Sequence, residues 1–255
     1  MLSGPAEAPT IATITLNRPE RRNSQTPHTW LWLARVVNAL PGSIRVLFFT
    51  GQGSSFSAGL DKSEFTAVGS DEAPGLAGIA HAAPAQADEA IASYQEAFNL
   101  GSRPGLVSIA LVQGYAVGAG FQLALSCDIR IVTEDAQFSM AEVTLGLVPD
   151  LGGTKRLVEL VGYSRAASIC LTGRRVSAAE ADQIGLVSAV VHADQLAAAG
   201  DQFAAQIMAM PRSAVAETKA LLLAAADNSH SDQQLAERTA QYRQLRELAG
   251  LDSED

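Results

Sequence analysis

The chain has 255 residues, 47% of them hydrophobic and 18% charged, with 27 acidic against 18 basic side chains and a net charge of −9. Such length and apolar content suffice for one large domain with its own core and exclude a wholly disordered chain. The negative balance argues against a general nucleic-acid surface, which needs basic patches for phosphates, and no apolar run approaches the roughly 20 residues of a membrane helix. Two cysteines, Cys127 and Cys170, are too few for a disulfide framework or a zinc cluster. They read as buried reduced thiols of a cytoplasmic protein. The opening MLSGPAEAPT has neither the basic nor the long apolar part of a leader.

Ile11–Leu16 alternates as a half-buried strand does, and Asn17-Arg18-Pro19 ends it. Thr26-Pro27 then opens a helix whose apolar face is Trp30, Leu33, Ala34, Val37 and Leu40. Arg45–Thr50 is apolar throughout, the pattern of a parallel strand covered on both faces. A Gly/Ser-rich turn follows over 51–61. Strand, helix, strand within 50 residues points to an α/β layered fold. Residues 66–90, rich in Ala, Gly and Pro, read as a mobile surface segment with some helix. Leu106–Val112 is a third, buried strand, Gly114–Gly120 a glycine-rich turn, Phe121–Ser126 the start of a helix and Ile129–Thr133 a short strand. Helical spacing covers 152–171 and 178–185. From Ala193 the chain is Ala-rich and helical, with a break at Met210-Pro211.

Two loops follow apolar strands and consist of small residues: Ser57-Ala58-Gly59-Leu60-Asp61 and Gly114–Gly120. Ligands of open α/β sheets bind where strands run out, and small residues expose backbone N–H groups to them. A helix starting after the second loop would add its dipole. Two converging N–H groups would make an oxyanion hole; the alternative is that the glycines only make tight turns. GYAVGAGFQ holds no G-x-G-x-x-G, and there is neither a P-loop nor a G-x-S-x-G elbow. The four histidines, His28, His81, His192 and His230, stand apart from acids and cysteines at ligand spacing, so no metal site is expected. In AQFSMAEVTLGLVPDLGGTKR, Glu142 is surrounded by apolar residues, where desolvation would raise its pKa into a range useful for proton transfer. A salt-bridged structural carboxylate is the alternative. Asp150 reads either as a second acid or as the cap of the helix that follows.

LNRP followed by Asn23, FSAGLD, GYAVGAGFQLALSCDIRI, AQFSMAEVTLGLVPDLGGTKRL and LTGRRVSAAEADQIGLVSAVV, in that order, resemble the enoyl-CoA hydratase/isomerase (crotonase) superfamily. The resemblance runs from about Ile11 to Lys219. It implies an α/β fold, a crotonase-like spiral of ββα units over residues 1–192. It also implies a helical C-terminal region over 193–255 that mediates a homotrimer or a dimer of trimers. The implied substrate is an acyl-CoA thioester, with no cofactor beyond the coenzyme A carried by the substrate, and no membrane or nucleic-acid partner is expected.

In this family two backbone N–H groups hold the thioester oxygen, and the positions matched to them here are Ala58 and Ala119. Ser57, Gly59, Asp61 and Gly118 of the same loops are then substrate-binding candidates. Arg22, Lys62 and Lys219 are candidates for the coenzyme A phosphates, each with a solvated surface charge as the alternative. Hydratases of the family use two glutamates, at the positions of Gln122 and Glu142. Gln122 cannot ionise, so the chain departs from the two-glutamate pattern. The reading that follows is double-bond isomerisation of an enoyl-CoA, with Glu142 as base and proton shuttle and Asp150 as a second acid/base. Hydration by Glu142 with Gln122 orienting water is one alternative, and an acyl-CoA-binding protein with degenerate catalysis is another. Dehalogenase-like and hydrolase-like branches rank lower, because no histidine lies near the matched loops.

Overall fold

The computed structural model describes residues 10–251; the opening segment read above for its lack of a leader and the last four residues lie outside them. Ten α-helices and eight strands follow one another as β1 (Ile11–Leu16), α1 (Pro27–Asn38), β2 (Val46–Gly51), α2 (Leu76–His81), α3 (Pro84–Gln95), β3 (Val107–Val112), β4 (Tyr115–Val117), α4 (Ala119–Ser126), β5 (Ile129–Thr133), β6 (Gln137–Ser139), α5 (Gly153–Val161), α6 (Tyr163–Thr172), β7 (Val176–Ser177), α7 (Ala178–Gln183), β8 (Ala189–Val191), α8 (Leu196–Met208), α9 (Arg212–Ala224) and α10 (His230–Leu248).

The main sheet has the order β1-β2-β3-β5-β8 and is parallel throughout. Alternate residues of its strands face two different layers, as the period of two requires. Leu47, Phe49, Ala110, Val112 and Val132 pack with Trp30 and Leu33 of α1 and Phe121 and Leu123 of α4. Val46, Phe48, Val107, Ile109, Leu111 and Ile131 pack with Leu196 and Ala204 of α8. Every residue of β3 is buried, which is why its sequence is apolar apart from Ser108, whose hydroxyl is paired with Asp128, rather than an alternation. A second sheet, β4-β6-β7, stacks Ala116, Phe138 and Val176 inwards.

The four predicted strands are present with boundaries within one residue, and α1 starts where expected. Thr26 caps α1, its hydroxyl accepting from Thr29 N and Thr29 Oγ1 returning the bond to Thr26 N. The predicted helix over 152–171 is two helices, because Gly162 at φ 78° breaks the run. Strands β4, β6, β7 and β8 were not predicted: two or three residues are too few to show an alternation. The 66–90 segment is more ordered than its composition suggests. It holds α2 and most of α3, Ala73 is buried, and the Tyr94 ring packs 5.3 Å from Trp30 while its hydroxyl donates to the Pro74 carbonyl at 2.7 Å. The C-terminal helices are divided between two roles. α8 covers the sheet, whereas α10 lies on α9 and leaves Leu235, Tyr242, Leu245 and Leu248 exposed.

Candidate active site

The loop after β2 is held from both edges. On one edge, Ser57 N donates to Tyr115 O at 2.9 Å and Val117 N donates to Ser57 O at 3.0 Å, joining the loop to β4. On the other, Gln25 N donates to Gly59 O at 2.8 Å and Asp61 N donates to Gln25 O at 2.7 Å, a parallel bridge centred on Leu60. Within such a bridge the central residue turns its own N–H and C=O to the opposite edge. Leu60 N–H therefore faces the β4–α4 side and has no protein acceptor among the described residues. Gly59 makes this possible: it lies at φ 84°, and a Cβ there would sit 2.4 Å from Val117 O and 3.3 Å from Ala119 N. The second loop thus meets the first at Ala119, the first residue of α4, whose N–H is one of the unpaired donors of that helix end.

Ala58 is corrected by this geometry. Its N–H donates to Arg22 O at 2.8 Å, so it is not free to receive a ligand oxygen. The free pair is Leu60 and Ala119. Leu60 was not legible as the free amide because its side chain carries no signal. The clue was the glycine before it, which reverses the direction of the next amide.

Glu142 lies in a 3-10 turn, Ala141–Leu145. It stands over the second loop: a Cβ on Gly118, itself at φ 53°, would be 3.4 Å from Glu142 Oε1. Gln122, buried at the fourth residue of α4, donates from Nε2 to Glu142 Oε1 at 2.7 Å. The amide cannot be reversed, because its Oε1 accepts from Leu151 N at 2.9 Å and Gly153 N at 3.2 Å. Glu142 Oε2 is buried and has no partner. Burial pushes the Glu142 carboxyl above its ordinary pKa, the Gln122 bond pulls it partly back, and the charge of Asp150 adds to the rise. No cation pairs with Glu142 among the described residues, which removes the salt-bridge alternative.

Asp150 lies in the turn before α5, its carbonyl tied to Gln95 Nε2 at 2.6 Å. The capping alternative does not hold: the N-cap of α5 is Gly152, with no side-chain cap. Although Asp150 reaches solvent, the protein around its carboxyl is enough to raise its pKa.

The remaining predicted site residues divide by what already holds them. Ser57 is fully buried, accepting from Gln25 Nε2 at 3.0 Å and Gly59 N at 3.2 Å and donating to Asn23 O at 2.8 Å. Asp61 accepts from Ser63 N at 3.1 Å, Ser63 Oγ at 2.9 Å, Ser24 Oγ at 3.1 Å and Arg18 Nη2 at 3.0 Å. Led by the Ser63 backbone bond, these hold its pKa down at about 2. Both side chains brace the loop rather than present themselves to a ligand. Lys219 is likewise corrected as a phosphate ligand: its Nζ is buried between Leu106 O at 2.5 Å and Asp128 Oδ2 at 2.8 Å. Burial lowers its pKa, and Asp128 opposes that. Arg22 and Lys62 are exposed cations beside the first loop. The Arg22 guanidinium lies 5.8 Å from the Tyr115 ring centre, and Arg175, which the sequence reading missed, lies 5.3 Å from it. Cys127 is buried, its thiol pushed up to about 12, and Cys170 is only half-buried. No group of three or more His, Cys, Asp or Glu among the described residues is placed to hold a metal ion. No helix among them is long and apolar enough to cross a membrane.

The two loops with unbonded amides at Leu60 and Ala119, and Glu142 with its unpartnered oxygen beside Gly118, lie at the end of the parallel sheet. The chain belongs to the enoyl-CoA hydratase/isomerase family, whose model matches residues 6–249. A protein from Thermobifida fusca YX described as an enoyl-CoA hydratase, solved with CoA, is 48% identical, with a TM-score of 0.89 over 96% of this chain and 93% of that one. The same description covers a complex with acetoacetyl-CoA at a TM-score of 0.89. The 2,3-dehydroadipyl-CoA hydratase of Escherichia coli is 36% identical over 72% of this chain and 67% of its own. Mevalonyl-coenzyme A hydratase of Aspergillus fumigatus is 34% identical over 78% and 69%.

Proposed function

We propose that this acyl-CoA enzyme moves a double bond along an enoyl-CoA by a single-carboxylate proton shuttle. The observation that carries the reading is the unpartnered, buried Glu142 Oε2 beside an Oε1 fixed by Gln122. With the thioester oxygen between Leu60 N–H and Ala119 N–H, Glu142 Oε2 takes a proton from C2 of a 3-enoyl-CoA. The electron pair moves through C1 onto the thioester oxygen, which the two amides stabilise by several kcal/mol, about 2.7–4 per donor. The same carboxyl, now protonated, delivers the proton to C4, and the double bond settles between C2 and C3. Asp150 is the second acid/base, for substrates whose receiving carbon lies beyond the reach of Glu142.

Gln122 supports isomerisation over hydration on chemical grounds. Its oxygen is filled by two backbone donors and its nitrogen only donates, so nothing at that position can take a proton from water. The second reading, hydration by Glu142 alone, is favoured by the names of the relatives, which are hydratases. In either case Arg22 and Lys62 are the cations beside the loop for the coenzyme A phosphates. The exposed leucines of α9 and α10 support a trimer or a dimer of trimers.

Matched 2-enoyl- and 3-enoyl-CoA decide between the readings. Isomerisation gives product of unchanged mass with a shifted double bond by NMR. A product heavier by one water shows hydration. Binding without turnover of either substrate leaves an acyl-CoA-binding protein.

A further inference from the structure

Gln25 is fully buried, and a buried carboxamide is expensive unless each of its groups is paired. Here each is. Its Oε1 accepts from Trp30 Nε1 at 2.7 Å and its Nε2 donates to Ser57 Oγ at 3.0 Å. Its backbone N–H and C=O take Gly59 O and Asp61 N. One residue therefore grips the five-residue loop at three points, on both sides of Leu60. Ser57 Oγ, oriented by Gln25, in turn captures Gly59 N–H at 3.2 Å. Between Ala58 and Asp61, every amide but that of Leu60 is thereby occupied.

We propose that Gln25 is a positioning residue for the oxyanion hole. Anchored by the Trp30 indole N–H, it fixes Ser57 and the Gly59–Asp61 backbone so that Leu60 N–H alone points at the reacting carbonyl oxygen. An apolar residue of similar size would fill the same volume and leave the Gln25 backbone bridge in place. What it would remove is the side-chain grip that sets the peptide planes at Ser57 and Gly59. The inference rests on the reading of Leu60 and Ala119 as the oxyanion donors.

The test uses the full chain, Gln25→Leu and Trp30→Phe, with 4-dimethylaminocinnamoyl-CoA as probe. Its absorption moves to the red when its carbonyl oxygen accepts hydrogen bonds. The expected result is a red shift on wild type that falls by at least about half in Gln25→Leu. With it, kcat should drop about 10- to 100-fold, as displacement of a preorganised donor predicts, while KM stays within about twofold. Trp30→Phe, which keeps an aromatic ring but loses the five-membered half of the indole and with it the donor to Gln25, should fall between. A folded Gln25→Leu protein with the wild-type shift and kcat overturns the proposal, since a purely structural role changes melting temperature alone. If Gln25→Leu does not fold, Trp30→Phe decides: a partial loss of shift supports the proposal, and an unchanged shift and kcat overturns it. Absence of a shift in wild type overturns the oxyanion reading itself, and the positioning role with it.

Discussion

On the loop side of the site, the buried polar side chains of Asn23, Gln25, Ser57 and Asp61 are all paired. On the α4 side, Gln122 is equally saturated, yet it hands Glu142 a single bond and leaves Oε2 buried with nothing. The contrast separates two tasks. Saturated groups hold backbone amides in place, because a satisfied buried network is rigid. An unsatisfied buried carboxylate oxygen costs stability and keeps a basic lone pair for a reacting carbon. Under the proposed shuttle, position is built on one side and reactivity on the other.

The largest effect is expected where reactivity sits. Glu142→Gln should lower kcat by about 10²- to 10⁴-fold, the usual range for a general acid/base, with the melting temperature held or raised; unchanged turnover would remove Glu142 as the shuttle. Next, Leu60→Pro deletes one N–H and should reduce kcat by about 10²- to 10³-fold, whereas Ala58→Pro, if the loop tolerates it, costs stability through the lost bond to Arg22. A larger loss of kcat in Ala58→Pro than in Leu60→Pro would reverse the assignment of the donor.

The acid limb of the pH profile sharpens the comparison further. Glu142 acts as a base when ionised and its pKa is raised chiefly by burial, so kcat/KM should climb with pH through that value and level off above it. Gln122→Glu replaces a donor with a second carboxylate and should move the limb upwards; a limb that stays in place would mean that the titrating group is elsewhere. Lys219→Met should leave KM for acyl-CoA unchanged while costing about 2 kcal/mol through the lost charged bond to Asp128, which keeps its bonds from Ser108 N and Oγ, read in urea unfolding.

The smallest effect belongs to the loop brace. The pKa of Asp61 is lowered on folding, from 3.8 to about 2. Its contribution is therefore complete above pH 4 and is lost as pH falls towards 2. With Arg18 partly in solvent, it amounts to about 1 kcal/mol. The urea midpoints of wild type and Asp61→Asn should differ at pH 7 and converge only as the pH falls to about 2.

How far the sequence could be read follows from the range of each signal. The apolar runs of β2 and β3 and the Thr26-Pro27 start of α1 are local, and they placed those elements. Glu142 was found because its neighbours along the chain, Phe138, Met140, Val143 and Leu145, are apolar. Gln122 was found through the resemblance, since an amide where a glutamate is expected changes which protons can move. Ala58 was chosen for Leu60 because backbone direction after a glycine at positive φ is not encoded in the identity of the next residue. Lys219 was read as a phosphate ligand or a solvated charge, because its partner Asp128 is 91 residues away.

The sequence by itself determined the α/β layering, the family, and two candidate acids, Glu142 and Asp150, all from signals carried by neighbours in the chain or by ordered motifs. Only the tertiary structure decided which amides are free, which cations are already neutralised, and that Glu142 keeps one oxygen unpaired. Each of those is a question of what another segment donates or accepts. Hydrogen bonds between Gln25 and Ser57, or Gln122 and Leu151, exist only once the spiral brings those segments together.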